Sequence, residues 1–164
     1  MILDFLFLSI TYSGGYMIVG IITLLSALSF SLHKHKAKIL PLFISVGGTA
    51  ISVWILKHFL DMPRPETALY LEMSPSFPSG HSALAMALYG FLFLTIWKHP
   101  NGAKALPGKE KHPLQNKSLV FLAILILAIG ISRLYLGVHF LQDVLAGYLV
   151  GLFWIFIANK VRSS

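Results

Sequence analysis

The chain of 164 residues is 56% hydrophobic and only 12% charged, with a mean hydropathy of +0.76. Too few polar groups exist to cover a soluble domain of this size, so the composition requires an integral membrane protein. The net charge of +7 falls in short segments between apolar runs, where it serves orientation and contact with anionic headgroups rather than nucleic-acid binding.

Apolar runs of roughly 20 residues cross a bilayer as helices, and five such runs are readable, at 12–32, 39–60, 79–97, 118–136 and 139–158. They are continuous and apolar on every face, unlike the alternating segments of a β-barrel. The fold class is therefore all-α, a polytopic transmembrane bundle of about five spans forming one domain over residues 1–164. No cysteine occurs, which excludes disulfides, thiolate metal ligands and a cysteine nucleophile.

Residues 1–11 are apolar but contain Asp4, are too short to span alone, and are set off by Ser13, Gly14 and Gly15. They read as an interfacial or re-entrant lead-in. Without a basic n-region or a small-residue cleavage site they do not read as a removable signal. The first span, 12–32, leads to Lys34, Lys36 and Lys38, and the second, 39–60, carries Lys57 near its far end.

The loop 61–78 holds Arg64 and the apolar and aromatic residues Leu69, Tyr70, Leu71, Met73 and Phe77, suited to the headgroup boundary. Its acids Asp61, Glu66 and Glu72 are scattered and read as a solvated rim. The third span opens with Pro78, Ser79, Gly80 and His81. A connection rich in Pro and Gly follows, with Lys98, Lys104, Lys109, Lys111 and Lys117. The fourth span ends just after Arg133, the fifth opens with His139 and Asp143, and the tail carries Lys160 and Arg162.

By the positive-inside rule the basic loops and tail are cytoplasmic. Of thirteen Lys and Arg residues, Lys57, Arg64 and Arg133 alone fall on the other side, at the depth of His81, His139 and Asp143. Singly, each suits a snorkelling or locally satisfied interfacial residue. Together, three cations repel one another unless an anion sits between them, and a multiply charged oxygen-rich ligand such as phosphate resolves that conflict.

A helix beginning at Ser79-Gly80 offers free N–H groups and a positive dipole end to an anion, although the same string also suits a plain N-cap with Ser79 as cap. His139 and Asp143, four apart, share a face if both are helical. The carboxylate can then hold one ring nitrogen as N–H and leave the other nucleophilic, or the pair can simply neutralise two polar groups.

In order, the chain has Lys57, six residues, Arg64-Pro65; then Pro78-Ser79-Gly80-His81; then Ser132-Arg133, five residues, His139, three residues, Asp143. This resembles the three-part signature of the type 2 phosphatidic acid phosphatases, the membrane lipid phosphate phosphatases. Members commonly have six transmembrane helices where five are counted here, so the departure lies before residue 12.

The resemblance implies a phosphohistidine mechanism. His139 attacks phosphorus, Asp143 orients it, and His81 protonates the departing oxygen. Lys57, Arg64, Arg133, Ser79 and Gly80 bind the phosphoryl oxygens. Three fixed cations and a helix N-terminus supply the charge that a metal gives elsewhere, so neither metal nor other cofactor is expected.

The expected substrate is a lipid phosphate in the outward leaflet, reached sideways with its tails in the membrane. Prenyl diphosphates, phosphatidylglycerol phosphate, phosphatidic acid and a lipid A-type phosphate all qualify. The setting implied is a bacterial cytoplasmic membrane with the site facing the periplasm or exterior, and no obligate protein partner is evident. A lipid-to-lipid phosphotransferase would use the same site. A transporter would need polar residues through the depth of the membrane, which the spans lack. His58 could join the site or face the interface, and His33, His35, His99 and His112 read as loop residues on the cytoplasmic side.

Overall fold

The computed structural model describes residues 2–70, 72–98 and 113–163, and every regular element among them is helical. Leu71 and the lysines at 104, 109 and 111 lie outside the described residues. The helices are α1 (Ile2–Tyr12), α2 (Tyr16–Leu32), α3 (Ile39–Leu60), α4 (Gly80–Ala85), α5 (Phe91–Lys98), α6 (Pro113–Tyr135) and α7 (Leu141–Ser163). A short 3₁₀ turn, Lys36–Lys38, precedes α3, and a π turn, Met86–Gly90, joins α4 to α5.

Among the described residues four helices are long and apolar enough to cross a membrane, Lys36–Leu60, Gly80–Trp97, Asn116–Tyr135 and Leu141–Val161, and α1 with α2 makes a fifth if the bent pair is one span. This is a multi-pass membrane protein, and the span count agrees with the sequence reading. The first span differs in detail. Its expected start at Tyr12 is the end of α1, and Ser13, Gly14 and Gly15 form a break at which the chain bends by 46°.

The break has a packing reason. A Cβ on Gly14 would meet the His81 carbonyl oxygen at 3.1 Å and Ile129 at 2.7 Å, and the Tyr89 hydroxyl donates to the Ser13 carbonyl at 2.6 Å. The lead-in is thus a helix docked on the bundle. Phe7 stacks on Tyr135 with ring centroids 4.1 Å apart, and the Tyr135 hydroxyl donates to Asp4 at 3.0 Å.

Leu24, Leu28, Ile51, Trp54, Phe121, Ile124, Leu149 and Phe153 all face outward and exposed. An outer surface of this kind suits lipid, and the interior is where polar groups must find partners. In α3 the buried residues Leu42, Ser45, Thr49, Val53 and Lys57 recur at helical spacing, so one stripe faces α4 and α7 and ends at a lysine. Ser45 donates to the Ala87 carbonyl at 2.9 Å, which satisfies an acceptor inside the π turn.

In α7, Gly147 and Gly151 lie against α4. A Cβ on either would come within 2.6 Å of a backbone carbonyl oxygen, that of Ser79 or of Ala83. Two small residues four apart let the helices approach closely. The approach fixes the start of α4 beside the start of α7.

Candidate active site

The far end of α3, the loop 61–79, the start of α4, the end of α6 and the start of α7 meet at one end of the bundle. The lysines of the 3₁₀ turn lie at the other end of α3. Lys57, 8% exposed at the end of its buried stripe, donates its ammonium to the Pro75 carbonyl and, at 3.4 Å, to that of Ser76.

Arg64 binds the same strip of loop, from Nε to the Ser74 carbonyl at 2.8 Å and from Nη2 to Ser74 Oγ at 3.1 Å. Its Nη1 donates to the Val138 carbonyl at 2.6 Å and lies 3.4 Å from His139 Nε2. One guanidinium therefore ties the loop to the turn before α7.

Arg133 is fully buried in the last turn of α6. Its Nη1 donates to Thr11 Oγ1 at 3.0 Å and to the Tyr70 hydroxyl at 2.5 Å, so α1 also reaches the site. Four residues on, Gly137 has φ +66°, and a Cβ there would lie 2.5 Å from the Thr67 carbonyl oxygen. Glycine alone makes that turn without strain, and the turn carries the chain from Arg133 to His139.

His139 and Asp143 do meet, but not on a shared helix face as the spacing suggested. His139 precedes α7, and Asp143 sits in the helix's first turn, where its Oδ2 accepts the Phe140 N–H at 2.9 Å in the manner of a capping box. His139 Nδ1 lies 3.3 Å from the same oxygen. With that nitrogen assigned as N–H, Nε2 carries the lone pair and faces Arg64. Burial, reinforced by the charges of Arg133, Arg64 and Lys57, holds the His139 imidazole well below its ordinary pKa. That shift favours the neutral ring.

Ser79 is the N-cap of α4 and is fully buried, with its Oγ accepting from the Ser82 N–H at 3.5 Å and the Ser82 hydroxyl at 3.0 Å. Its own N–H donates to the Asp143 carbonyl at 2.9 Å. The next two residues, Gly80 and His81, reach a cavity of about 190 Å³ whose wall also includes Lys57, His139, Glu72, Tyr16, Trp54 and His58. No group of three or more His, Asp or Glu residues fit to hold a metal ion occurs among the described residues.

The sequence profile of the PAP2 superfamily matches residues 38–163. The chain belongs to this superfamily. It is 34% identical over 154 residues to phosphatidylglycerophosphatase B of Bacillus subtilis (strain 168), covering 92% of this chain and 70% of the relative. The crystal structure of a transmembrane PAP2-type phosphatidylglycerolphosphate phosphatase from Bacillus subtilis superposes with a TM-score of 0.83 at 28% identity, over 98% of this chain and 77% of that one. Aquifex aeolicus LpxE superposes with a TM-score of 0.72 at 27% identity, over 97% and 86%. The chain is a PAP2 membrane phosphatase of lipid phosphates.

The sequence reading missed Ser76, misread Glu72 and left His58 open at this PAP2 site. Ser76, fully buried, donates its hydroxyl to Asp143 Oδ2 and lies 3.4 Å from His139 Nδ1. Nothing in a loop serine marks it beforehand. His58, left aside in the sequence, lines the cavity, its ring 4.4 Å from that of Trp54.

Glu72 corrects an expectation outright. It is not a solvated rim residue. Its Oε2 lies 2.6 Å from Arg64 Nη2, its Oε1 pairs with Arg133 Nη2, and the Tyr70 hydroxyl donates to Oε1 at 3.0 Å. Burial alone would raise the carboxyl, but Arg133 and Arg64 outweigh it and hold the group below its ordinary pKa. Glu72 supplies an anion among cations that would otherwise repel.

Proposed function

We propose that this protein hydrolyses the phosphate monoester of a membrane lipid headgroup, without a metal ion, through a phosphohistidine at His139. The observation that carries the reading is the His139 ring itself. It is buried, with Nδ1 3.3 Å from Asp143 Oδ2 and Nε2 3.4 Å from Arg64 Nη1, and it lines a cavity together with His81 and Lys57.

In the first step His139 Nε2 forms the N–P bond as the ester P–O bond breaks, and the leaving alkoxide oxygen takes a proton from His81. In the second, water gives its proton to His81 and attacks phosphorus, the P–N bond breaks, and inorganic phosphate leaves. Lys57, Arg64, Arg133, the Ser79 hydroxyl and the Gly80 N–H take the phosphoryl oxygens, and their charge matters most as charge spreads over those oxygens in the transition state.

The charge pattern supports an outward-facing site in a bacterial cytoplasmic membrane, since by the positive-inside rule Lys34, Lys36 and Lys38 favour a cytoplasmic position for the other end. The relative named phosphatidylglycerophosphatase B supports phosphatidylglycerol phosphate as the first substrate to try. Phosphate release by the purified protein in detergent with EDTA, across phosphatidylglycerol phosphate, phosphatidic acid, prenyl diphosphate and a lipid A-type phosphate, tests the reading beside a His139→Ala control. Release is expected from the wild type alone and unchanged by EDTA. Release that EDTA abolishes, or that survives in the mutant, contradicts it.

A further inference from the structure

Glu72 stands on the cavity wall in front of Arg64 and Arg133, two of the cations assigned to the phosphoryl oxygens. A guanidinium edge that holds a carboxylate cannot at the same time hold a phosphoryl oxygen in that place. We propose that Glu72 is a resident counter-anion that the substrate phosphate must displace, and that it thereby sets which anions the site accepts. The inference rests on the phosphate-site reading above and adds a selection step to it.

The chemistry follows from charge and oxygen count. A carboxylate brings one negative charge and two oxygens to two arginines. A phosphate monoester carries about −1.5 to −2 charges and three free oxygens, so it can replace both contacts and still reach Lys57 and the start of α4. A phosphodiester has one charge and two free oxygens, no more than Glu72 already provides. The diester headgroups that surround the protein in any phospholipid membrane therefore gain nothing by entering, whereas the monoester does.

The local structure permits the exchange. Glu72 lies in an irregular stretch, between backbone hydrogen bonds at Leu69, to Leu136, and at Ser76, to Met62. Its side chain is 21% exposed against 0% for Arg133, so the carboxylate has a path to water while the guanidinium stays fixed. Tyr70, bonded to both Arg133 and Glu72, can keep its bond to the arginine when the carboxylate leaves.

The test is anion binding by the intact protein in detergent, read as thermal stabilisation by orthovanadate and by inorganic phosphate, in wild type, Glu72→Gln and Tyr70→Phe. Removing a paired charge that competes for the same arginines is expected to tighten anion binding by about tenfold or more in Glu72→Gln, a change of about 1.4 kcal/mol. Tyr70→Phe, which keeps the carboxylate but removes one of its bonds, is expected to tighten it by less.

In mixed micelles, Glu72→Gln should also become inhibited by the diester phosphatidylglycerol, where wild type is not. Equal or weaker anion binding in both variants overturns the inference and leaves the phosphate site standing. If neither anion stabilises any of the three proteins, the phosphate-site reading falls and the inference with it.

Discussion

His81 and His139 are the same side chain put to different work by their surroundings. His139 sits between the carboxylate of Asp143 and the guanidinium of Arg64, and in the proposed mechanism the carboxylate holds one ring nitrogen as N–H and the other is the nucleophile. His81 opens onto the cavity, where a leaving group could meet it. General acid catalysis is worth about 10²–10⁴-fold, so His81→Ala should lose that factor on a lipid phosphate. It should lose far less on p-nitrophenyl phosphate, whose leaving group needs no proton. Equal losses on both substrates would remove His81 from the acid role.

Lys57, Arg64, His81, Arg133, His139 and Asp143 were legible in the sequence because a charged or titratable group is costly in an apolar chain, and their convergence stands out against that background. Glu72 was not legible. An acid in an eighteen-residue loop (61–78) reads as solvated unless the fold shows that two arginines lie within reach of it. Ser76 shares the difficulty, since serine is common in loops and only the fold brings it to Asp143.

At the scale of elements, the site depends on how closely α4 and α7 approach. Gly147 and Gly151 set that distance, and the Ser79 N–H bonded to the Asp143 carbonyl registers the two helix starts against each other. The sequence carried this signal as two glycines four apart in an apolar run, and it becomes interpretable once α4 is known to be the neighbour. Gly147→Ala places a methyl group against a backbone oxygen that cannot rotate away. Overpacking of this kind costs about 1–3 kcal/mol. The expected result is a lower unfolding temperature in detergent together with reduced turnover, because Ser79 and Asp143 are pushed apart. Unchanged stability and full turnover would show that the helices have room to spare.

The spans themselves were legible from hydropathy to within a few residues, since lipid-facing helices need apolar residues all round. The bend between α1 and α2 was half legible. Ser13, Gly14 and Gly15 marked a break, but that the lead-in is a helix docked on α6, with Thr11 against Arg133, needed the tertiary partners.

On the scale of the whole molecule, Lys36 and Lys38 stand at one end of α3, and Lys57 and the cavity at the other. In the proposed reading this separation serves insertion and catalysis together, because the lysines proposed to orient the protein stay clear of the proposed anion site. Tyr16 of α2 and Trp54 and His58 of α3 share the cavity wall with His81 and His139, so an amphiphile whose phosphate reached His139 would keep its apolar part near the outer surface of those helices. The superposition on two solved structures over nearly the full chain shows that this helical fold is shared with them.

The central claim is that phosphorus passes through His139. Single-turnover reaction with lipid phosphate labelled at phosphorus, quenched in alkali, where phosphohistidine survives, and mapped by peptide, tests it most directly. The account predicts label on the peptide carrying His139 in wild type, and none in His139→Ala. Phosphate released with no labelled protein at any quench time, or label on a different residue, would contradict it.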